Sequence, residues 1–254
     1  RVYPQKADFT FYGGIYRDVS LLVVNKNHIA LGHFGDTGVK ITPALKEGSA
    51  DIRVETLVEG EGTVTVELLD AEGSTVAKGE GEKASLHLDA PHLWNGVKDP
   101  YLYTCIVRLM QDGKPVDEVT TRVGLRSFSV DAKKGFFLNG KPYPLHGVSR
   151  HQDRKGLGNA ITREMHDEDM ELIRELGANT VRLAHYQHDQ YFYDLCDQYG
   201  MVVWAEIPYI SEHLPNGRQN TIDQMEELIY QNYNHPCIVC WGVSNEITIS
   251  TKDK

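Results

Sequence analysis

Thr180-Val181-Arg182-Leu183-Ala184, then Asp189-Gln190-Tyr191-Phe192-Tyr193-Asp194-Leu195-Cys196-Asp197-Gln198-Tyr199-Gly200, then Met201-Val202-Val203-Trp204-Ala205 reads as strand, helix, strand. In the middle piece Phe192, Leu195, Cys196 and Tyr199 fall at i, i+3, i+4 and i+7, one apolar face of a helix. Asp189 is a good N-cap and Gly200 a good stop. Two short apolar strands joined through such a helix mark a β/α unit with a parallel sheet.

Working outward, the unit repeats. Downstream, Thr221 to Gln224 have capping-box spacing and open a third helix, and Ile238–Val243 form a fourth strand. Upstream, Leu145–Val148 supply the first strand. Thr162 then caps a helix in which Met165, Leu172, Ile173 and Leu176 share a face before Gly177 ends it. Each strand runs into polar residues at its C-terminal end: His151 and Asp153, then His185 and His188, then Glu206, then Asn245-Glu246. In parallel α/β folds that end carries the active site. The loop 151–158 lacks G-x-G-x-x-G, so a barrel is preferred over a doubly wound nucleotide sheet.

Residues 35–130 have another rhythm. Short alternating strands such as Ile52–Leu57, Val64–Leu68, Ser85–Leu88 and Tyr103–Val107 are separated by Gly-rich turns at 59–62, 71–74 and 111–114, which predicts an immunoglobulin-like antiparallel β-sandwich. Trp94, Tyr101 and Tyr103 are expected in its core. Before it, Asp8–Val19 and Ser20–Val24 read as two strands around Gly13-Gly14, too few for a domain of their own.

With 254 residues the chain has room for two domains. Its 41% apolar and 24% charged composition is that of an ordinary globular protein. A net charge of -10 argues against nucleic acid as a partner. No apolar run approaches the roughly 20 residues of a membrane span, and no signal-peptide core follows Arg1, which we read as a processing boundary. The compartment stays open. Cys105, Cys196, Cys237 and Cys240 are too few and scattered for a disulfide framework, and the Cys237-x-x-Cys240 spacing lies on a strand, so all four are expected to be structural thiols.

Two long motifs carry a resemblance. Asn234-His235-Pro236 with Ile238-Val239-Cys240-Trp241-Gly242-Val243-Ser244-Asn245-Glu246 resembles the acid/base signature of glycoside hydrolase family 2. Asn179-Thr180-Val181-Arg182-Leu183-Ala184-His185-Tyr186, continuing to Trp204-Ala205-Glu206-Ile207-Pro208, resembles that family's other signature. Gly14-Ile15-Tyr16-Arg17-Asp18-Val19 is similar to the end of its jelly-roll sugar-binding domain. The implied fold is multi-domain β plus α/β: a jelly-roll remnant over 1–34, an immunoglobulin-like sandwich over 35–130 and the first half of a (β/α)8 TIM barrel over 131–254.

The resemblance implies a retaining glycosidase in which Glu246 protonates the leaving oxygen and then activates water, while Asn245 hydrogen-bonds the sugar 2-hydroxyl. His185 would contact sugar and Arg182 support the nucleophile, which the family takes from the seventh strand. With four strands the chain is expected to lack that group and to be inactive alone, with an open sheet edge that invites association, for example as a homo-oligomer. His151 would line the pocket. Glu206 matches an acidic position of the family, though an ion-pair role is the default for a strand-end carboxylate. Some members bind magnesium through Glu-x-His. Here Glu212-His213 are adjacent, so no metal or other cofactor is expected; His213, like Asp8, would touch sugar instead.

The flanking residues look closer to β-galactosidases than to β-glucuronidases or β-mannosidases, making a β-galactoside or related oligosaccharide the expected substrate. Two other readings are a non-catalytic carbohydrate-binding module and a metal-dependent hydrolase using His151, His185 and His188.

Overall fold

The computed structural model describes residues 9–213 and 215–247. A short strand β1 (His28–Ile29) precedes β2 (Val39–Lys46), β3 (Ser49–Thr56), β4 (Val58–Glu59), β5 (Thr63–Leu69), β6 (Thr75–Glu80), β7 (Lys83–Asp89), β8 (Tyr103–Gln111) and β9 (Lys114–Val123). β2-β3-β7 and β6-β5-β8-β9 form two antiparallel sheets whose facing residues, among them Ile52, Val54, Val66, Leu68, Leu86, Val107 and Leu109, make one buried core. Alternation of buried and exposed positions along β3, β5 and β8 is the period-2 pattern of half-buried strands. The β8–β9 hairpin turns on Asp112 and Gly113, both in the left-handed region, as a tight two-residue turn demands.

A three-stranded ribbon of β10 (Phe128–Asp131), β11 (Gly135–Leu138) and β12 (Lys141–Pro142) leads to the barrel units. These are β13 (Gly147–Arg150), α1 (Arg163–Glu175), β14 (Thr180–Leu183), α2 (Gln190–Tyr199), β15 (Val202–Glu206), α3 (Arg218–Gln231) and β16 (Ile238–Gly242), with the four strands parallel and in chain order. On one face Val181, Leu183, Val203 and Ala205 pack under the helices against Met170, Phe192, Cys196 and Leu228. The other face carries Arg182, Trp204 and Glu206. Asp189 caps α2 by accepting from the Tyr191 N–H, and Gly200 ends it at φ 73°. A side chain at Gly200 would meet the Gly96 backbone at 2.2 Å, so glycine is required there twice over.

The structure corrects five expectations. Among the described residues of 9–27 there is no strand. The alternating Val19, Leu21 and Val23 are 79–89% exposed, because a strand pattern without a pairing neighbour stays unformed. The first barrel strand lies two residues later than 145–148, placing Arg150 at its end. In α1 the buried stripe is His166, Met170 and Ile173, while Leu172 and Leu176 face outward; a polar partner for His166 outweighs apolar count. α3 starts three residues before Thr221, whose hydroxyl donates back to the Gly217 carbonyl inside the helix rather than capping it. Trp94 belongs to the barrel core, not the sandwich, and its indole N–H donates to the Asp197 carbonyl at 2.9 Å. Tyr103 lies in the sandwich core, with Tyr101 packed against it.

The two units are tied together. The Asn234 amide accepts from the Ile41 N–H and donates to the Val39 carbonyl, pairing with edge strand β2 as another strand would. Arg126 donates to the carbonyls of Pro236 and Ile238.

Candidate active site

Strand alternation places Arg182, Trp204 and Glu206 on the same face of the parallel sheet, the face away from the helices. Residues opposite each other in register point the same way, so Cys240 and Gly242 of β16 join them. Gly242 is forced: a Cβ there would lie 2.4 Å from the Trp204 indole nitrogen and 2.6 Å from the Glu206 Cβ. The backbone therefore comes close to a crowded cluster.

Glu206, 1% exposed, is the hub of that cluster. Arg182 donates to it through Nε at 3.1 Å and Nη2 at 3.0 Å. His185 Nδ1 lies 2.5 Å from Glu206 Oε1. Arg182 Nη2, which can only donate, also comes to 3.3 Å of Nδ1, but the much shorter contact to a carboxylate, which only accepts, puts the His185 proton on Nδ1 and leaves Nε2 for a ligand. Arg182 Nη2 also donates to Asn245 Oδ1 at 2.7 Å, which orients the amide and leaves its Nδ2 hydrogens for a hydroxyl oxygen. Asn245 is held in turn by its backbone: its N–H donates to the Tyr209 carbonyl and its carbonyl accepts from Ser211. The Arg182 guanidinium lies 5.3 Å from the Trp204 ring, and Trp204 is 42% exposed.

Glu246 follows directly, in a left-handed conformation at φ 55°. Its carboxyl is exposed and has no hydrogen-bond or ion-pair partner among the described residues. A group that must pass a proton to a ligand needs that freedom. Arg182, His185, Glu206 and Asn245 are thus one network with Glu246 at its margin. His151 adjoins it, 5.3 Å between rings from His185. Phe9 packs on both histidines at 4.8 and 5.7 Å and on Tyr186 at 5.7 Å, closing an aromatic wall. Among the described residues, His213 reaches the Tyr209 hydroxyl through Nδ1 rather than the Glu206 cluster. Asp8 lies outside the described residues.

Sequence reasoning missed Phe9, Tyr186, Trp204 and the buried Arg150. Only the Trp204 position was signalled, by its place two residues before Glu206 on one strand face. It also grouped His188 with possible metal ligands. The structure overturns that: His188 is fully buried, its Nδ1 accepts from Arg150 at 3.0 Å and its Nε2 donates to the Ala184 carbonyl at 3.1 Å, so neither nitrogen is open to a metal. Among the described residues one group, Asp197, His235 and Cys237, brings three ligand-type atoms within 4.8 Å. Asp197 already accepts from His235 and from the Cys237 N–H, and burial pushes the Cys237 thiol well up, so the arrangement is a structural clasp between α2 and the residues leading into β16. Among the described residues, Glu212 and His213 do not gather such a group.

Burial and the Arg150 charge push His166 down to about 4 and His188 well below its ordinary value. His235 goes the other way: burial opposes its charge, but Asp197 outweighs burial and raises it. The unfolded chain takes up protons at His166 and His188 near pH ~6.5 that the folded chain refuses, so stability falls below that pH. His235 contributes stability fully present below ~6.5 and lost above it as its own raised pKa is passed. Urea midpoints measured from pH 5 to 8.5 should therefore peak near pH ~6.5. A midpoint that climbs steadily on acidification to pH 5 would contradict the neutral pair.

Known proteins resemble this chain in sequence and in fold. The model for the TIM barrel domain of glycosyl hydrolases family 2 matches residues 129–253, and a second model, glycosyl hydrolases family 2, matches 33–126. A beta-glucuronidase of Bacteroides fragilis is 40% identical over 275 residues, covering 97% of this chain and 39% of that protein. An FMN-binding beta-glucuronidase from Facaelibacterium prausnitzii L2-6 superimposes with a TM-score of 0.92 at 44% identity, over 97% of this chain and 40% of that one. A putative beta-galactosidase from Bacteroides fragilis gives 0.86 at 39%, over 89% and 36%. The chain thus spans about two fifths of the length of the relatives it matches.

Proposed function

The chain belongs to glycoside hydrolase family 2, and from that premise we propose that it carries the acid/base half of a retaining β-glycosidase site acting on β-glucuronides. The observation that carries the reading is the Arg182–Glu206–His185–Asn245 network on the C-terminal edge of the parallel sheet, with the exposed Glu246 next in sequence to Asn245. Glu246 protonates the glycosidic oxygen as the bond breaks and later takes a proton from water. Asn245 Nδ2 and His185 Nε2 hold sugar hydroxyls, the 2-hydroxyl contact strengthening as the ring becomes oxocarbenium-like.

Double displacement needs a second carboxylate about 5–5.5 Å from the first. Glu206 does not fit that part, since Arg182 and His185 occupy both of its oxygens in a buried setting. We therefore assign the nucleophile to a carboxylate other than Glu206. Two carboxylates suffice for the reaction, and no step of it calls for a metal or cofactor.

The glucuronide assignment replaces the galactoside expected from the residues around Arg182 and Trp204. It is supported by the relative at 40% identity and the structure at 44%, both beta-glucuronidases. Hydrolysis of galactosides is the second reading, favoured by the putative beta-galactosidase structure. Steady-state kinetics of the whole protein, with its nucleophile present, on 4-nitrophenyl β-D-glucuronide and β-D-galactoside separate them. We expect kcat/KM to favour the glucuronide by at least about tenfold, a difference of ~1.4 kcal/mol in transition-state binding. A galactoside preference would transfer the assignment to the second reading.

A further inference from the structure

A second polar network lies behind the loop that bears His185, and the chemistry above makes no use of it. Arg150, 6% exposed at the end of β13, donates to Asp169 Oδ2 through Nε at 3.0 Å and Nη2 at 2.6 Å. Its Nη2 also reaches His166 Nδ1, and its Nη1 reaches His188 Nδ1, each at 3.0 Å. The guanidinium lies 3.8 Å from the Phe192 ring.

Because Nδ1 of His188 accepts, its proton is on Nε2, which donates to the carbonyl of Ala184, the residue before His185. The Ala184 N–H donates back to the Arg150 carbonyl at 3.0 Å, closing a ring of hydrogen bonds. Two residues further, the Gln152 side chain accepts from the Asp189 N–H at 2.6 Å and its own N–H donates to the Tyr186 hydroxyl at 3.0 Å. The loop 184–189 is thus gripped from both ends by residues 150–152.

Burying a guanidinium is expensive, and apolar side chains of similar volume would pack α1 against β13 at least as well. Apolar side chains would not aim a backbone carbonyl. We infer that Arg150, His188 and Gln152 are positioning residues: they set the Ala184–His185 backbone so that His185 meets Glu206 with its Nδ1 and presents Nε2 outward. This rests on the reading of His185 as a sugar contact only for its consequence in catalysis. The geometry it predicts is measurable without substrate.

The measurement is the tautomer balance of His185, read from its two side-chain ¹⁵N shifts at one fixed pH, in this chain and in two variants. His188→Gln keeps an acceptor toward Arg150 and a donor toward Ala184, whereas His188→Leu keeps neither. His188→Leu should lower the ratio of Nδ1–H to Nε2–H tautomer by about threefold or more, while His188→Gln should keep the parent's ratio. A His185 tautomer balance identical in all three would overturn the inference and make His188 a packing residue. Should His188→Leu not fold, Gln152→Ala makes the same test, since it removes only the acceptor for Asp189, and an unchanged balance there counts equally against us. A galactoside preference in the kinetics above would leave this result untouched, so the two ideas fail separately.

Discussion

In the whole protein, with the nucleophile present, Glu246→Gln is expected to lower kcat on an alkyl β-glycoside by about 10²–10⁴-fold, the usual contribution of a positioned general acid/base. Glutamine has the shape of glutamate and cannot release a proton, so the loss isolates the chemistry from packing. An alkoxide is a poor leaving group and must be protonated as the bond breaks; a dinitrophenolate is a good one and needs no help. The first step should therefore be barely affected for a dinitrophenyl glycoside, so that the glycosyl-enzyme forms and then waits for a base. A burst of dinitrophenol followed by slow turnover is the expected signature. Equal losses on both substrates, or none on either, would remove Glu246 from the acid/base role. Because its carboxyl is exposed and has no partner among the described residues, folding stability should move by no more than about 0.5 kcal/mol.

Glu206→Gln should behave in the opposite way, costing structure first. Three donors converge on this carboxylate: Arg182 Nε, Arg182 Nη2 and His185 Nδ1. An amide brings two donors of its own, so whichever way it turns, N–H faces N–H in a site that is 1% exposed. Removing the partner of a mostly buried ion pair costs about 3–5 kcal/mol, and the 30% exposure of the Arg182 side chain softens that toward about 2–4 kcal/mol. Chemical denaturation should show the drop, together with a loss of sugar affinity as Arg182 releases Asn245. A variant as stable as the parent would mean that Glu206 is not the hub described above.

What could be read in advance followed short-range rules. Period 3.6 in Phe192, Leu195, Cys196 and Tyr199, with Asp189 and Gly200 at the ends, located α2 because caps and apolar stripes are local. The network of Arg182, His185 and Asn245 was reached through motif resemblance joined to the rule that strand ends carry function. Resemblance alone does not reach the sugar, since a few residues around Arg182 and Trp204 do not encode which hydroxyl or carboxylate is recognised. The buried Arg150 was invisible for a physical reason: a guanidinium satisfied by His166, His188 and Asp169 draws on three separate segments, and no periodicity records such partnerships. His166 misled for the same cause, taking a core position on α1 that apolar counting reserved for leucine. Phe9 was passed over because its ring matters only where the chain returns, some 140 residues later, with His151.

The side-chain amide of Asn234 completing the edge of β2, and the indole of Trp94 plugged among barrel residues, bear on how such chains can be recombined. A foreign sandwich grafted onto this barrel would leave the Asp197 carbonyl without its indole donor and the Asn234 amide facing an edge of the wrong register. Lineages that trade whole domains must therefore exchange these seam residues as a set, and the junction near residue 130 is a poor place to cut.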